Sequence, residues 1–270
     1  MPCVKNHFSA GNDLETVLLQ YSAFLCVTPF LPLAPFGFIN AFRLSHSAHF
    51  SLFPPLFQEY SVTLRDFMNK PITFQNSISN EEAALLPAIE FRGPIVVVDS
   101  EPRLREACRY LAAQPVIGFD TETRPSFRAG VVNRVALLQL SSPEQSFLFR
   151  LCKIPLDKAI VKILENKEIL KIGADVKGDL RALHNIRHFQ EAGFVDLQEL
   201  AGEWGIEEKS LRKLSAIVLG QRVSKAQRLS NWEAAQLTDK QQLYAATDAW
   251  VCTRIYDRLL HTPKPKKTKK

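Results

Sequence analysis

The stretch "FDTET" sets Asp120 and Glu122 two residues apart in an otherwise apolar run. If that run is a strand, its period of two sends both carboxylates to one face. Two acids sharing a face near a core bear desolvation and mutual repulsion. The plain alternative is a strand end that emerges into solvent. "KIGADVKGDLRAL" adds Asp179 in the first turns of a helix, where an acid also suits the helix dipole. Asp175, just ahead of it, is placed to be an N-cap. "YAATDA" adds Tyr244 and Asp248 at i and i+4, one above the other on a helix face. A surface acid beside a half-buried tyrosine would give the same pattern. Each signal is modest alone, but together they describe one chemistry. Four carboxylates converging on one site would carry a charge of about −4, which is untenable without cations. Hard oxygen donors select Mg²⁺ or Mn²⁺ over zinc. Two such ions roughly 3.5–4 Å apart can carry an in-line phosphodiester displacement.

The elements that must position these groups follow from the alternation of patterns after Ile95. "PIVVVDS" reads as a strand and "EPRLREACRYLAAQ" as an amphipathic helix. "PVIGFDTET" is a buried strand. "NRVALLQLSS" and "QSFLFRL" are two more, joined by a turn at "SPEQ". "PLDKAIVKILEN" is a helix, "ILKIGAD" a short strand and "VKGDLRALHNI" a helix. Beyond this the pattern is helical: "VDLQELAGEWG", "SLRKLSAIVLG" and the long "TDKQQLYAATDAWVCTRIYDRLLH". Thr238 and Gln241 form a capping-box start for the last of these. Strands first and helices after, with some strands hairpin-linked, predict a mixed sheet covered by helices in an α/β domain.

"FDTET", "GADVKGDLRAL" and "YAATDA" resemble, in order and spacing, the three motifs of the DEDD 3′–5′ exonucleases. The YxxxD form of the third motif is that of the DEDDy branch, and the similarity is greatest to the RNase D and Werner syndrome exonuclease type. The span from Ser210 to Trp250 also has the family's LxxL, K…Q…S-x-W, LT…Q…YAA layout. The resemblance covers about Phe91 to His261. It implies an RNase H-like three-layer fold, with a five-stranded mixed sheet flanked by helices. It implies that Asp120, Glu122, Asp179 and Asp248 ligate two divalent cations, Mg²⁺ or Mn²⁺, and that Tyr244 orients the attacking water. The activity implied is removal of nucleoside 5′-monophosphates from the 3′ end of DNA or RNA. Thr123 sits where the polymerase proofreading domain contacts the terminal nucleotide. Asp175 stands where that domain has asparagine, a departure from the family's pattern.

Other basic residues would hold phosphates electrostatically if they lay beside the site. Arg222, Lys225 and Arg228 come together without an acid in "LGQRVSKAQRLS", and Lys225 matches the family layout best. Arg124, Arg128 and Arg134 follow the first motif. Any one of them read alone is an ordinary basic loop residue. Trp232 reads as core. His184 and His188, four apart with no third ligand in the pattern, read as a helix C-terminal feature rather than a metal pair.

Composition bounds the rest. The chain has 270 residues and a net charge of +6, but the tail "TPKPKKTKK" (262–270) holds five lysines and no acid. The body is therefore nearly neutral, and the tail reads as a solvated, disordered end. Five scattered cysteines without a CxxC pair exclude a zinc ribbon and a disulfide framework, and fit a reducing cytoplasmic setting. The first 67 residues differ from the rest. They hold ten of the 18 phenylalanines, and no charge occurs between Thr16 and Phe42. Pro29, Pro32 and Pro35 oppose a regular helix there, and no basic cluster marks a secretory signal. Met68 thus reads as a natural start and 1–67 as an extension outside the native protein, with a membrane-associated leader as the alternative. Residues 68–90 would be a lead-in, 91–261 the catalytic domain, and no stable membrane association is expected. The competing reading of another class is a nuclease-fold nucleic-acid-binding module without activity. It predicts the loss of one or more ligands, yet all four acids and the tyrosine are present.

Overall fold

A computed structural model describes residues 73–126 and 133–265. The N-terminal 72 residues, including the phenylalanine-rich stretch, Met68 and the leader reading, lie outside the described residues, as do Arg128 and the last five residues of the tail. In chain order the elements are α1 (Asn80–Leu85), β1 (Ile95–Val98), α2 (Glu101–Leu111), β2 (Val116–Thr123), β3 (Val135–Ser141), β4 (Ser146–Phe149), α3 (Lys158–Leu164), β5 (Leu170–Gly173), α4 (Val176–His184), β6 (Phe194–Asp196), α5 (Leu197–Leu200), α6 (Leu211–Leu219) and α7 (Asp239–Leu260).

The sheet runs β1-β4-β3-β2-β5-β6. β3 lies antiparallel to both β2 and β4, while the β1–β4, β2–β5 and β5–β6 pairs are parallel. The sheet thus has six strands rather than the expected five. The additional one, β6, pairs with β5 through Lys171↔Phe194, Ile172↔Val195 and Gly173↔Asp196. Three residues are too few to show a period of two, so the pattern around β6 reads as helix. The helix expected over "VDLQELAGEWG" shrinks to α5 and a 3₁₀ turn, Ala201–Trp204.

Alternation along β2 divides the molecule into layers. Ile117 and Phe119 join the apolar core that α2, α3 and α4 complete with Leu104, Leu111, Ile160, Leu164, Leu180 and Leu183. Gly118 faces the other way, where α7 lies so close that a Cβ would overlap the Ala249 carbonyl. Only glycine permits that approach. On this side two further clusters form. One gathers Ile172, Leu214, Ile217, Val251 and Ile255, and the other Leu137, Leu148, Trp232, Tyr244 and Ala245.

The segment read as a lead-in also packs. α1 starts with a capping box between Ser79 and Glu82, and Ile78, Ala83 and Ile89 are buried in the core beneath α6. At the other end, Thr262 is 3% exposed and its carbonyl accepts a 2.8 Å hydrogen bond from Trp204 Nε1. Lys264 pairs with Glu203 and lies over the Trp204 ring. The first residues of the basic tail are therefore docked. No helix among the described residues is long and apolar enough to cross a membrane.

Candidate metal and nuclease site

α7 is fixed at its start by the Thr238/Gln241 capping box expected from the sequence. It runs for 22 residues across the sheet. Its close approach at Gly118 turns Asp248 toward the end of β2, where Asp120 and Glu122 leave the strand on the same face. Carboxylate oxygens of Asp120, Glu122 and Asp248 all lie within 4.8 Å of one another. Asp248 is only 8% and Tyr244 9% exposed, while Asp120 and Glu122 keep part of their surface open.

Asp179 reaches the cluster from the opposite layer. Its Oδ1 accepts a 2.6 Å hydrogen bond from Thr121 Oγ1, the β2 side chain between the two acids. It is thus held beside the three converging carboxylates, not among them. The α4 turn that presents it is capped in an unexpected way. Asp175 is at the N-cap position, but in a left-handed conformation (φ 67°) and without a side-chain capping bond. The capping acceptor is Asp196 at the end of β6. One of its carboxylate oxygens accepts from Val176 N at 3.0 Å and the other from Gln198 N at 2.8 Å. The Asp175 carboxylate instead folds over Gly178, where any Cβ would meet its Oδ2 at 2.7 Å.

The electrostatics are those of a crowded cluster of largely buried acids. Burial first, then the Asp248 charge, pushes the Asp120 carboxyl well above the usual range. Burial and the charges of Asp120, Asp248 and Asp179 push Glu122 up to about 10, with Arg228 pulling in the other direction. Asp179 rises to about 9 through burial and Asp120, opposed by its bond from Thr121. Asp248 rises to about 7 through burial, opposed by the Tyr244 hydroxyl. Burial and the neighbouring Asp248 keep the Tyr244 phenol protonated. A positive charge placed among these oxygens would oppose each of these carboxyl shifts.

A cleft of about 410 Å³ opens beside the cluster, lined by Ile89, Glu90, Gln227, Lys240, Tyr244 and Asp248 among others. Of the basic residues read from the sequence, Arg228 acts on Glu122 electrostatically. Arg222 lies further back: its Nε donates to the Leu86 carbonyl at 3.0 Å and its backbone bridges Ala88. Lys225 is exposed on the intervening turn. Thr123 follows a register shift at Glu122/Thr123, a bulge of the kind that re-aims side chains at strand ends. Arg124 pairs with Glu233 at 3.3 Å. Trp232 is fully buried with its ring 6.0 Å from Tyr244, as a core residue. His184 stacks on Phe189 and contacts Glu191 at 3.1 Å, at the C-terminal end of α4.

Sequence reasoning missed two residues here. Lys240 lines the cleft from the first turn of α7. Gln139 is paired with Asp120 across β2 and β3 and is fully buried. Both of its side-chain polar atoms lack a hydrogen-bond partner. A glutamine in the middle of "VALLQLSS" is the signal that could have found it.

Comparison with known proteins agrees with this arrangement. A family model described as 3′–5′ exonuclease matches residues 95–262. The bifunctional 3′–5′ exonuclease/ATP-dependent helicase WRN of Mus musculus is 35% identical over 184 residues, covering 64% of this chain and 13% of that protein. Exonuclease 3′–5′ domain-containing protein 2 of Drosophila melanogaster is 36% identical over 169 residues, covering 60% of this chain and 28% of the relative. The match thus spans less than a third of each relative's length. Among solved structures, the Nibbler EXO domain of Aedes aegypti superposes with a TM-score of 0.57 at 25% identity, over 64% of this chain and 91% of that one. Escherichia coli RNase D, at 24% identity and a TM-score of 0.56 over 61% and 44%, shares the fold. With its RNase H-like mixed sheet and its acidic cluster at the end of β2, the chain belongs to the 3′–5′ exonuclease family.

Proposed function

We propose that this protein is a metal-dependent exonuclease that shortens nucleic-acid strands from the 3′ end and releases nucleoside 5′-monophosphates. The observation that carries this reading is the convergence of Asp120, Glu122 and Asp248 within 4.8 Å, with Tyr244 on the same helix face as Asp248. The donor set fits divalent cations. It is all carboxylate and largely enclosed, and burial, joined at Asp120 and Glu122 by neighbouring carboxylates, raises its proton affinities. Asp120, Glu122, Asp248 and Asp179 would hold two ions, Mg²⁺ or Mn²⁺. When bound, the ions supply electrostatic stabilisation of the charge that develops on the attacking and leaving oxygens.

The chain's own residues do the rest. Tyr244 stays a neutral hydroxyl, so it orients the attacking water by hydrogen bonding and does not take its proton. The water oxygen bonds to phosphorus as its proton passes to bulk solvent, and the bond to the 3′ oxygen breaks. That oxygen takes a proton from solvent and becomes the new 3′ hydroxyl of a strand shorter by one nucleotide. Thr123, beyond the bulge, and Arg228, whose charge reaches Glu122, would contact the terminal nucleotide and its phosphate; Lys225 and Arg222 belong to the same basic turn. A solved relative, Trypanosoma brucei RNase D, has been seen with RNA U12; for this chain either RNA or DNA is compatible with the site. A reducing cytoplasmic setting belongs to the same proposal, and Cys108, Cys152 and Cys252 are free thiols.

The test uses the full chain with single-stranded DNA and RNA labelled at the 5′ end, in Mg²⁺ or Mn²⁺, beside Asp120→Ala. Shortening by single nucleotides, absent in the variant, is the expected result. Strands that bind but are never shortened would replace this reading with the inactive binding module.

A further inference from the structure

A second cavity lies on the far side of the segment that walls the cleft, and nothing above uses it. It measures about 640 Å³ and is bounded by Phe74, Glu90, Arg92, Trp250, Arg254 and Arg258, with the end of α6 beneath. Arg92, Arg254 and Arg258 are all exposed. Among the described residues none of the three guanidinium groups has a hydrogen bond or a carboxylate partner. Elsewhere the arginines often do: Arg103, Arg105 and Arg124 face acids, and Arg150, Arg187 and Arg222 donate to carbonyls. The single acid at this cavity is Glu90, so its lining is net positive on a body that is close to neutral. The indole of Trp250 is half-buried, braced 5.6 Å from the Phe91 ring, and carries Arg254 at 5.8 Å.

We propose that this cavity binds the sugar-phosphate backbone of a single-stranded nucleic acid, upstream of the 3′ end that the carboxylates hold. The inference rests on the exonuclease reading for what occupies the neighbouring cleft. Its own support is continuity. Ile89 and Glu90 line both spaces, so one wall separates the cleft of Tyr244 and Asp248 from the arginines. α7 provides both sites in order. Arg254 and Arg258 follow Asp248 by about 9 and 15 Å along the helix axis, at 1.5 Å per residue. At the stacked, duplex-like spacing of about 3.4 Å per nucleotide that distance corresponds to roughly three to four nucleotides, and to fewer on a more extended strand. Guanidinium groups grip phosphates in a forked geometry and read no sequence. An indole beside them offers a face on which any base stacks. A free nucleotide or inorganic phosphate has the same charge, but it would gain nothing from the shared wall.

The test is affinity as a function of strand length. Binding of 5′-fluorescein 2-mer and 12-mer strands would be followed by anisotropy in EDTA, so that no turnover intervenes, for the wild type and for Arg254→Gln/Arg258→Gln. Shortening of the same strands in Mn²⁺ would be measured in parallel. The double variant should weaken 12-mer binding about tenfold at low salt. It should also lower the salt slope by roughly 1.4, at about 0.7 for each phosphate no longer neutralised on a single strand. Binding of the 2-mer and kcat should be unchanged. Arg92→Gln, from a different segment, should give part of the same length-dependent weakening. Equal weakening on both lengths, or an unchanged 12-mer Kd, would overturn the proposal. So would inorganic phosphate binding to the wild type but not to the double variant, combined with equal 12-mer affinities; that result would make the cavity a small-anion site. An acidic peptide that binds the wild type but not the double variant, with 12-mer affinity equal in both, would likewise assign the cavity to a protein partner. The two readings fail separately. A wild type that shortens neither strand while the variant still binds the 12-mer more weakly removes the exonuclease and keeps the strand site. A variant that matches the wild type in affinity while both degrade strands removes the strand site alone.

Discussion

The two faces of β2 are built from the same eight residues and do opposite things. On one face Ile117 and Phe119 are wholly buried among apolar side chains from α2, α3 and α4. On the other, Gly118, Asp120 and Glu122 meet α7, with uncompensated carboxylates in place of packing atoms. The apolar face stabilises the fold, whereas the buried, mutually repelling acids of the other face weigh against it. A period of two keeps these opposed demands one residue apart.

The sharpest way to break this comparison is to truncate neighbours. Asp120→Ala should lower kcat by on the order of 10³ or more, the scale of losing a central electrostatic group, without loss of thermal stability. Phe119→Ala should cost about 3–5 kcal/mol of stability, measured by urea unfolding, with activity per folded molecule largely kept. If Phe119→Ala abolished activity in protein shown to be folded, the two faces would not be separable. Gly118→Ala should damage both, because the new methyl group pushes α7 away from the strand. Overpacking of this kind costs about 1–3 kcal/mol, and displacement of Asp248 from its partners should lower activity about 100-fold. A Gly118→Ala protein of normal activity would show that α7 can retreat without moving the site.

A pH experiment sharpens the acidic side. Asp248 has its folded-state pKa raised to about 7 by burial, against about 3.9 in an unfolded chain. The native state therefore binds more protons than the unfolded state between those values, and metal-free stability falls as pH rises through that window. Asp248→Asn should remove the penalty. Its metal-free Tm should match the wild type near pH 4 and exceed it at pH 8, by an amount worth about 4 kcal/mol, while activity is lost. Mn²⁺ should raise the wild-type Tm and leave the variant's nearly unchanged. A variant less stable than metal-free wild type at pH 8 would mean that the carboxylate is already compensated.

Much of this was legible in the sequence, for identifiable reasons. Asp120 and Glu122 at a spacing of two, and Tyr244 and Asp248 at a spacing of four, encode a shared face within single elements, and the long helix announces its start with Thr238 and Gln241. What escaped the sequence depends on contacts between elements. β6 is three residues long and is defined by its pairing to β5. Asp196 caps α4 from that strand, a role that local pattern assigns to Asp175. Gln139 is a site neighbour only because register places it opposite Asp120. The ridge shared by the cleft and the arginine cavity comes from the 88–92 segment. That segment straddles the expected end of the lead-in, yet Phe91 N donates to Thr247 Oγ1 on α7 at 3.1 Å.

The smallest expected effect asks what holds α7 in place. The Thr238 side chain accepts from Gln241 N at 3.2 Å, and the Gln241 side chain closes the box on Thr238 N at 3.0 Å. Thr238→Ala should therefore cost about 1 kcal/mol of stability. Tyr244 lies more than a turn further along, and Asp248 a further turn beyond it. Both are fixed by the contact with β2 at Gly118 and by the Thr247–Phe91 bond rather than by the helix end. Fraying of the first turn should then leave kcat within about twofold of the wild type, since the reacting groups sit beyond the reach of a missing cap. Lys240, which lines the cleft from that first turn, should be the exception, so the variant should show its deficit in KM for strands and not in kcat. A large fall in kcat would place the control of the site at the end of α7 instead of at the glycine where helix and strand meet.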